Sequence, residues 1–271
     1  MSDLDPRVTT FRRLHESGCF VIPNPWDVGS ARILEQLGFS ALATTSAGFA
    51  WSLGRPDNFV TLDEAIAHYA AVAAAVRVPV NADFERGFAT DPDEVAANVA
   101  RACDTGIAGL SIEDSTHDPA SPLFEFDDAV ERIRAARRAI DESGTGIVLT
   151  GRSEGFIAGR PDLAETIRRL QAYADAGAEC LFAPGVKSAS DIGAIVRAVA
   201  PKPVNVVVGG DFTTVEQLAA LGVRRISVGG SLARAALTGF LVAAREIAEQ
   251  GTFGALGRTI PGVEINRMFE A

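Results

Sequence analysis

The strongest constraint on the fold is an eightfold alternation of short apolar runs with alanine-rich amphipathic stretches. The apolar runs are nearly continuous and contain many β-branched residues, which is typical of strands buried on both faces. They occupy residues 19–23, 40–45, 78–83, 106–113, 146–151, 179–184, 203–208 and 225–230. Strands that alternate with helices indicate a parallel sheet, and eight such units in 271 residues predict a (β/α)8 TIM barrel. An open, doubly wound sheet is the competing architecture.

Capping signals predict where several helices begin. Asp27 precedes one amphipathic stretch, and Thr61 and Glu64 have the spacing of a capping box before another. Ser190 is predicted to precede a third helix. The segment 44–57, which follows the second strand, is predicted to be a loop.

No linker or low-complexity segment interrupts the repeat. Residues 1–271 are therefore predicted to form one barrel domain with a C-terminal helical tail. The residues after Gly251 lie outside the repeat and form this tail. We expect it to pack either on the barrel or against a partner subunit.

Charge, apolar runs and cysteine spacing argue against nucleic-acid binding, a membrane span and secretion. Asp and Glu number 35 against 25 Lys and Arg, and the net charge of −10 argues against nucleic-acid binding, which needs basic surfaces. The sequence has no run of about 18 uncharged apolar residues, so no membrane span is predicted. The three cysteines are far apart, and the first residues lack the pattern of a secretion signal. These features predict a cytoplasmic protein with reduced thiols.

The ends of the predicted strands carry the polar residues with catalytic potential, because TIM barrel enzymes place their chemistry there. Asp83 ends the third strand, Glu113 ends the fourth, and Arg152 follows the fifth. Converging carboxylates repel each other, and burying them is costly unless a cation compensates their charge. Oxygen ligands without a nearby Cys or His cluster favour Mg²⁺, with Mn²⁺ as an alternative. Asp57 and Glu85 are further oxygen donors, and Arg152 is suited to bind a substrate carboxylate.

Each of these features also has a purely structural interpretation. A strand-end Asp or Glu often caps the next helix or joins an ion pair, and His117 is either a general acid or base or a solvated loop residue. The pairs Gly209-Gly210 and Gly229-Gly230 follow the seventh and eighth strands, where many barrels bind phosphate. They leave open a phosphate-binding barrel of the aldolase or epimerase type, although no lysine stands at a strand end.

Several segments, taken in order, carry a family resemblance. They are IPNPWDVGSARILEQLGFSALATTSAGFAWSLGRPDN at 22–58, VNADFERGF at 80–88, GLSIEDS at 109–115 and TGRSEGF at 150–156. Together they resemble the isocitrate lyase/phosphoenolpyruvate mutase superfamily, and the resemblance extends over nearly the whole chain. Residues 204–236 resemble the C-terminal part of a small bacterial branch of that superfamily.

The resemblance implies a fold, a chemistry and an assembly. Members of the superfamily form (β/α)8 barrels, usually exchange the last helix between subunits, and assemble as dimers or tetramers. They bind Mg²⁺ and a 2-oxo acid or its enolate, and they make or break a C–C or C–P bond beside the carbonyl. The matching positions are Thr45 and Ser46 for the substrate carboxylate, Asp57, Asp83 and Glu113 for the metal and its waters, and Arg152 for the oxo-acid.

Three departures from the family pattern restrict the chemistry. Asn81 replaces the first acid of the family's Asp-x-Asp pair, which removes one negative charge from the metal site. The loop after the fourth strand, STHDPASPLFEFDD, has no cysteine and no lysine, so cleavage of isocitrate or methylisocitrate by the family's usual acid is disfavoured. The same loop also lacks the lysine and asparagine of the mutases, which makes phosphonopyruvate a weaker candidate substrate.

The combined hypothesis is a Mg²⁺-dependent lyase, or a related hydrolase or decarboxylase, that acts on a small 2-oxo acid such as oxaloacetate or on a substituted malate. Cleavage would leave a pyruvate-type enolate. The alternatives are the phosphate-binding barrel and a non-catalytic member that binds oxo-acids. The expected assembly is a homodimer or homotetramer. The predicted site residues are Asp57, Asn81, Asp83 and Glu113 for the metal, Thr45, Ser46, Arg152 and Asn205 for the substrate, and Arg152, Glu113 and His117 for catalysis.

Overall fold

The computed structural model describes residues 4–270, in which eight parallel strands form a nearly closed barrel. The strands are β1 (Phe20–Ile22), β2 (Leu42–Ala43), β3 (Val80–Asp83), β4 (Gly109–Glu113), β5 (Val148–Arg152), β6 (Cys180–Phe182), β7 (Val204–Val207) and β8 (Arg225–Ser227). They pair in the order β1-β8-β7-β6-β5-β4-β3-β2. The N–H of Ala43 donates to the carbonyl oxygen of Pro23 at 3.0 Å, so the two ends of the sheet meet. The predicted TIM barrel is confirmed.

Helices surround the barrel and follow it at the C-terminus. They are α1 (Pro6–Glu16), α2 (Val28–Gln36), α3 (Ser46–Ser52), α4 (Leu62–Ala75), α5 (Pro92–Cys103), α6 (Phe126–Ser143), α7 (Leu163–Asp175), α8 (Ala189–Val199), α9 (Val215–Ala220), α10 (Ser231–Gln250), a 3₁₀-helix (Gly254–Arg258) and α11 (Gly262–Arg267). None of the helices within residues 4–270 is both long enough and apolar enough to cross a membrane.

Side-chain caps begin two helices where the sequence predicts them. Oδ1 of Asp27 accepts the N–H of Ser30 at 2.6 Å, so Asp27 caps α2. Thr61 and Glu64 form the predicted capping box of α4, in which each side chain accepts the backbone N–H of the other residue. Such caps satisfy N–H groups that a helix cannot satisfy internally.

Two local predictions are wrong. Helix α8 begins before Ser190, because the hydroxyl of Ser188 accepts the N–H of Asp191 and caps the helix two residues earlier. The segment after β2 is not a loop throughout, because it begins with α3, which the Thr45 hydroxyl caps by accepting the N–H of Gly48 at 3.3 Å. Both errors arise where several small hydroxyl residues compete to be the cap.

The interior of the barrel is polar beneath its carboxyl-terminal mouth. TIM barrel interiors are usually filled with branched apolar side chains. Here β3, β4, β5, β7 and β8 each contribute a polar residue that is at most 7% exposed. These residues are Asn81, Ser111, Thr150, Asn205 and Ser227. The apolar core therefore lies mainly between the sheet and the helices, and the interior is available for polar chemistry.

The C-terminal tail folds back on α10 and leaves apolar side chains exposed. The N–H groups of Gly254 and Ala255 donate to the Glu246 carboxylate at 2.6 and 2.8 Å. The exposed apolar residues of α10 and the tail include Leu237, Phe240, Leu241, Val242, Phe253, Ile260 and Val263. Exchange of a C-terminal helix between subunits stays a prediction.

Replacing His68 with Phe is expected to protect the fold in acid. The His68 ring is 8% exposed and stacks on Phe49 with ring centroids 3.9 Å apart. Burial lowers the pKa of His68 from 6.5 to about 4. Between these pH values the unfolded chain binds a proton that the native fold does not bind. The stability of the wild type therefore falls as the pH falls, by up to about 1.4 kcal/mol per pH unit from this residue.

Urea unfolding of the wild type and H68F near neutral pH and at about pH 5 measures this effect. Near neutral pH the histidine is uncharged in both the native and the unfolded state, so that comparison is the internal control. The stability advantage of the variant should grow as the pH falls. An advantage that stays constant with pH would contradict the buried neutral histidine.

Candidate active site

A pocket of about 280 Å³ opens at the carboxyl ends of the strands, where barrel enzymes place their active sites. It is lined by residues that include Thr45, Ser46, Asp83, Arg152, Asn205 and Gly229. A second depression, of about 420 Å³, lies under the segment that joins β4 to α6 and contains His117. Ser46, Asp57 and Arg152 line both spaces, so together they form one candidate active site.

Arg152 is at the centre of this site, where three acidic side chains meet its guanidinium group. Its Nη1 is 3.2 Å from Oδ1 of Asp83 and 3.1 Å from Oε2 of Glu113. Its Nε contacts Oε1 of Glu154. Arg152 and Glu113 are paired directly in the register of β4 and β5, and β3 supplies Asp83. The Arg152 side chain is only 17% exposed, so little water screens these interactions.

The cluster contains more acidic groups than Arg152 can neutralise. Burial raises the pKa of Glu113, but the Arg152 guanidinium, His117 and Arg86 together outweigh this effect and hold that pKa below its ordinary value. Burial raises the pKa of Glu154 to about 8, although Arg152 opposes the shift. Burial and the charges of Asp83 and Glu113 raise the pKa of Glu85 to about 8. Both shifts favour the protonated form of these two carboxyl groups, so the site can accommodate more positive charge.

The residues predicted to hold a substrate carboxylate lie beside Asp83. The backbone N–H and the hydroxyl of Ser46 donate to Oδ2 of Asp83 at 3.0 and 2.9 Å. Thr45 is 3% exposed and precedes Ser46 at the start of α3. Asn205 reaches the same pocket from β7. A substrate carboxylate would therefore compete with Asp83 for the Ser46 donors.

The predicted metal ligands surround the site without converging on one point. Asp57, Asn81 and Asp83 line the pocket, and Glu113 lines the adjoining depression. Oδ1 of Asn81 is buried without a hydrogen-bond partner in the described part of the chain. Burial and the Asp83 charge raise the pKa of Asp57. Within residues 4–270, no group of three or more acidic, His or Cys side chains has the arrangement of a metal centre. The oxygen donors and the excess of acid nevertheless fit Mg²⁺, which binds through one or two carboxylates and retains water ligands.

His117 and Glu85 have backbone conformations that are rare outside glycine. Their φ angles are 62° and 48°. Nε2 of His117 is 3.0 Å from Oε1 of Glu113, and the carbonyl oxygen of Glu85 accepts the N–H of Glu113 at 3.0 Å. Such conformations persist only where the surroundings hold them, and they cluster at functional sites. Glu113 is therefore held from two sides by residues with unusual backbone geometry.

Asp114, the residue after Glu113, has a structural role. Its Oδ2 accepts the Tyr173 hydroxyl at 2.6 Å and Nη1 of Arg169 at 3.1 Å, and its Oδ1 accepts the N–H of Glu154 at 2.7 Å. Asp114 is 2% exposed. These bonds join the ends of β4 and β5 to α7 and so position the acid–arginine cluster.

The glycine pairs do not form a phosphate cradle. Oδ1 of Asn24 accepts the N–H groups of Val228 and Gly229, both at 2.9 Å, and its Nδ2 donates to the Thr44 carbonyl oxygen at 2.9 Å. A phosphate bound after β8 would need such N–H donors. The pair Gly209-Gly210 is exposed and does not line the pocket. The geometry therefore gives no support to the phosphate-binding alternative.

Three residues of the site were not assigned from the sequence: Asn24, Glu154 and Arg225. Arg225 begins β8, is 3% exposed and lines the pocket from within the barrel. Arg225, Ser227 and Gly229 are spaced two residues apart, so they lie on the same face of the strand. This spacing could have identified Arg225 from the sequence. Asn24 gives no such signal, because its bonds join segments that are far apart in the chain.

The fold and the site together define a (β/α)8 barrel with an acid–arginine cluster at the ends of β3 to β5. The family model described as phosphoenolpyruvate phosphomutase matches residues 11–248, so the chain belongs to that family. A solved structure of a candidate lyase/mutase from Burkholderia cenocepacia J2315 is 49% identical, with a TM-score of 0.95 over 98% of this chain and 96% of that chain. An uncharacterized protein of Mycobacterium tuberculosis is 33% identical over 94% of each chain.

Relatives with named activities are lyases and enzymes of related chemistry. The 2-methylisocitrate lyase of Aeropyrum pernix is 28% identical over 86% of this chain and 76% of its own. An oxaloacetate decarboxylase of Pseudomonas putida is 32% identical over 79% of this chain and 75% of its own. A phosphonopyruvate hydrolase solved with oxalate and Mg²⁺ is 25% identical, with a TM-score of 0.86 over 97% of this chain and 94% of that chain. The chain is a lyase-type enzyme of this superfamily.

Replacing Asn24 with Ala is expected to destabilise the fold more than replacing Asn98 with Ala. N24A leaves two N–H groups and one carbonyl oxygen without partners, and each buried unsatisfied group costs about 1–3 kcal/mol. We expect a loss of about 3 kcal/mol or more. Asn98 makes one bond, to the Gly87 carbonyl oxygen at 2.9 Å, and its loss should cost about 1 kcal/mol. Urea unfolding compares the two variants, and equal losses would contradict the role of Asn24 in closing the barrel.

Proposed function

We propose that this chain is a Mg²⁺-dependent lyase that breaks a C–C bond beside the carbonyl of a small 2-oxo dicarboxylate such as oxaloacetate, or acts on a substituted malate. Hydrolytic or decarboxylating cleavage of the same substrates is included. The observation that carries the proposal is the position of Arg152, a permanent cation among three carboxyl groups where the two pockets join. The named activities of the relatives, 2-methylisocitrate lyase and oxaloacetate decarboxylase, support this substrate class.

Arg152 would bind the oxo-acid and stabilise the charge that develops during cleavage. Nη1 and Nε already contact the acids, so the N–H groups of Nη2 are the donors left for a carboxylate or enolate oxygen. The group is held by Asp83, Glu113 and Glu154 before substrate arrives, so little reorganisation is needed during the reaction. Preorganised donors in a poorly hydrated site are the largest source of transition-state stabilisation in many enzymes.

Asp57, Asn81, Asp83 and Glu113 would hold Mg²⁺ in this proposal. When bound, the ion supplies Lewis-acid stabilisation of negative charge on the oxygen beside the breaking bond. Asn81 offers an oxygen without a charge, so the nearby carboxylates provide all the negative charge of the metal site. The buried Oδ1 of Asn81 has no hydrogen-bond partner among residues 4–270 and is the atom of this residue that would act as a ligand.

Thr45 and Ser46 would orient the substrate carboxylate beside the carbonyl, and Asn205 would contact the substrate farther inside the barrel, where it bonds Arg225. All three line the pocket that Arg152 enters. Ser46 offers a backbone N–H and a hydroxyl, and both donate to Asp83 in this structure. Exchange of the Asp83 carboxylate for a substrate carboxylate would preserve these bonds, because donors and acceptors stay matched.

The enolate left after cleavage needs a proton, and we assign His117 as its donor. His117 lies in the depression beside Arg152, and its Nε2 shares a hydrogen bond with Glu113. The alternative donor is Glu154, which lines the same depression and whose pKa is raised by burial to about 8. A group that is protonated near neutral pH is suited to general acid catalysis.

We also propose that the chain assembles as a homodimer or homotetramer. The support is the row of exposed apolar side chains on α10 and the tail. Exposed apolar patches of this kind mark interaction sites more often than they mark free surface.

Oxaloacetate with Mg²⁺ is expected to stabilise the chain against urea unfolding. A ligand that binds only the native state adds about 2.7 kcal/mol at about 100 times its Kd. Pyruvate, 2-oxoglutarate and phosphonopyruvate are compared in the same way, each with Mg²⁺ and with a chelator. The measurements are made in the cold, because oxaloacetate decarboxylates on warming.

The proposal is supported if an oxo-acid stabilises the chain with Mg²⁺ and this stabilisation is lost when the chelator is added. If no oxo-acid stabilises the chain and the chelator has no effect, the lyase proposal fails. Nuclear magnetic resonance of the same mixtures detects turnover. Binding without turnover would identify the non-catalytic, oxo-acid-binding alternative.

Replacing Arg152 with Lys is expected to weaken oxo-acid binding by at least about tenfold. Lys keeps the positive charge beside Asp83 and Glu113 but loses the planar fork. An alanine would instead leave three carboxyl groups without their cation. Arg168→Lys is the matched control, because Arg168 makes a two-bond pair with Glu165 at 2.7 and 3.0 Å on the surface. Calorimetry measures the affinities, and equal affinities of R152K and R168K would argue against the assigned role of Arg152.

A further inference from the structure

Arg225 is a buried cation inside the barrel that the proposed chemistry does not use. It is the first residue of β8 and is 3% exposed, yet it lines the same pocket as Arg152. Asn205 and Ser227 line the pocket beside it. The pocket therefore extends from the mouth, where the acidic residues lie, down to a positively charged group.

Among the residues that the structure describes, the hydrogen bonds of Arg225 go only to neutral side chains. Nε donates to Oδ1 of Asn205 at 2.9 Å, Nη2 donates to Oγ1 of Thr150 at 3.1 Å, and Nη1 lies 3.4 Å from Nε2 of His15. Nδ1 of His15 bonds the Phe11 carbonyl oxygen at 2.8 Å, which assigns the ring proton to Nδ1 and leaves Nε2 as an acceptor. Burial and the Arg225 charge lower the pKa of His15 to about 3, so the ring is neutral. Three of the five N–H groups of Arg225 are thus used, which leaves two for a ligand.

Arg225 differs from the other buried arginines in the compensation of its charge. Arg152 and Arg169 each pair with carboxylates, and Arg132 donates to two backbone carbonyl oxygens. Within residues 4–270, Arg225 forms no ion pair and bonds no carbonyl oxygen of the backbone. A buried charge without compensation is costly. An anionic group that enters the pocket would supply the missing compensation.

We propose that Arg225 binds a second carboxylate of the substrate and thereby selects dianionic over monoanionic oxo-acids. The inference rests on the proposed function, because it places the carboxylate beside the carbonyl at Arg152 and the distal carboxylate at Arg225. Asn205 and Ser227 provide neutral polar surroundings for the distal group. Arg225 is thus a specificity-determining residue at the bottom of the pocket.

The test compares the binding of oxaloacetate with that of pyruvate, which lacks the distal carboxylate. The ring of Trp51 lies against Gly230 at the pocket, so its fluorescence reports binding in the cold without heating the ligand. The wild type should bind oxaloacetate about tenfold or more tightly than pyruvate, because a charge-assisted hydrogen bond contributes about this much to affinity. In R225M the ratio of the two dissociation constants should fall to about one, while the affinity for pyruvate stays within about twofold of the wild type. R132M is the control for loss of a buried arginine and should keep the preference.

A second variant, Asn205→Asp, tests the same idea without removing Arg225. In the wild type, Oδ1 of Asn205 accepts from Nε of Arg225 at 2.9 Å. The new carboxylate would take this position and neutralise the Arg225 charge without a ligand. We expect N205D to be at least as stable as the wild type in urea and to lose the preference for oxaloacetate. This variant keeps the inference testable if R225M does not fold.

The outcomes separate this inference from the proposed function. If the wild type binds neither oxaloacetate nor pyruvate, the proposed function fails, and this inference fails with it. If the wild type binds oxaloacetate and both variants keep its preference, Arg225 is structural and only this inference is overturned. If phosphonopyruvate is preferred to oxaloacetate and the preference is lost in R225M, the distal group is a phosphonate, and the assignment of a carboxylate is wrong.

Discussion

The interaction on which the site depends is the pairing of one arginine with several buried carboxyl groups. Arg152 holds Asp83, Glu113 and Glu154 together at the mouth of the barrel. Removing either kind of partner from such a cluster leaves an uncompensated buried charge, which is strongly destabilising. The cluster is therefore both a structural and a chemical unit. Burial, together with the neighbouring acids, raises two carboxyl pKa values to about 8 and prepares the site for further positive charge.

The surrounding structure offsets the cost of this polar interior. Asp114 joins β4 and β5 to α7 through Tyr173, Arg169 and the backbone of Glu154. Asn24 joins the ends of β1, β2 and β8 through three hydrogen bonds. The helices bury their apolar faces against the outside of the sheet, so the interior can remain polar. The apolar contacts thus lie mainly outside the sheet, and the polar groups of the site lie inside it.

Much of the fold could be predicted because its signals are local. The eight strands, the caps at Asp27 and Thr61, and the order of the strand-end residues all follow from patterns within a few residues. The helix α3 was missed, because the segment after β2 was predicted to be a loop. The start of α8 was predicted two residues too late, because Ser188 and Ser190 both offer a capping hydroxyl. Within the site, Asp83, Glu113 and Arg152 could be found because each ends or follows an otherwise apolar strand.

The sequence by itself determined the barrel, the edge at which its polar side chains gather, and the acids and the arginine that stand there, because strand alternation and strand order specify which ends meet. Only the tertiary structure decided how these groups compensate one another. It placed the Arg152 guanidinium among the acids and gave the two N–H groups after β8 to Asn24. It also left Arg225 inside the barrel without a carboxylate partner among residues 4–270. These outcomes depend on distances between side chains that are far apart in the chain, and electrostatic energies change steeply with such distances and with burial.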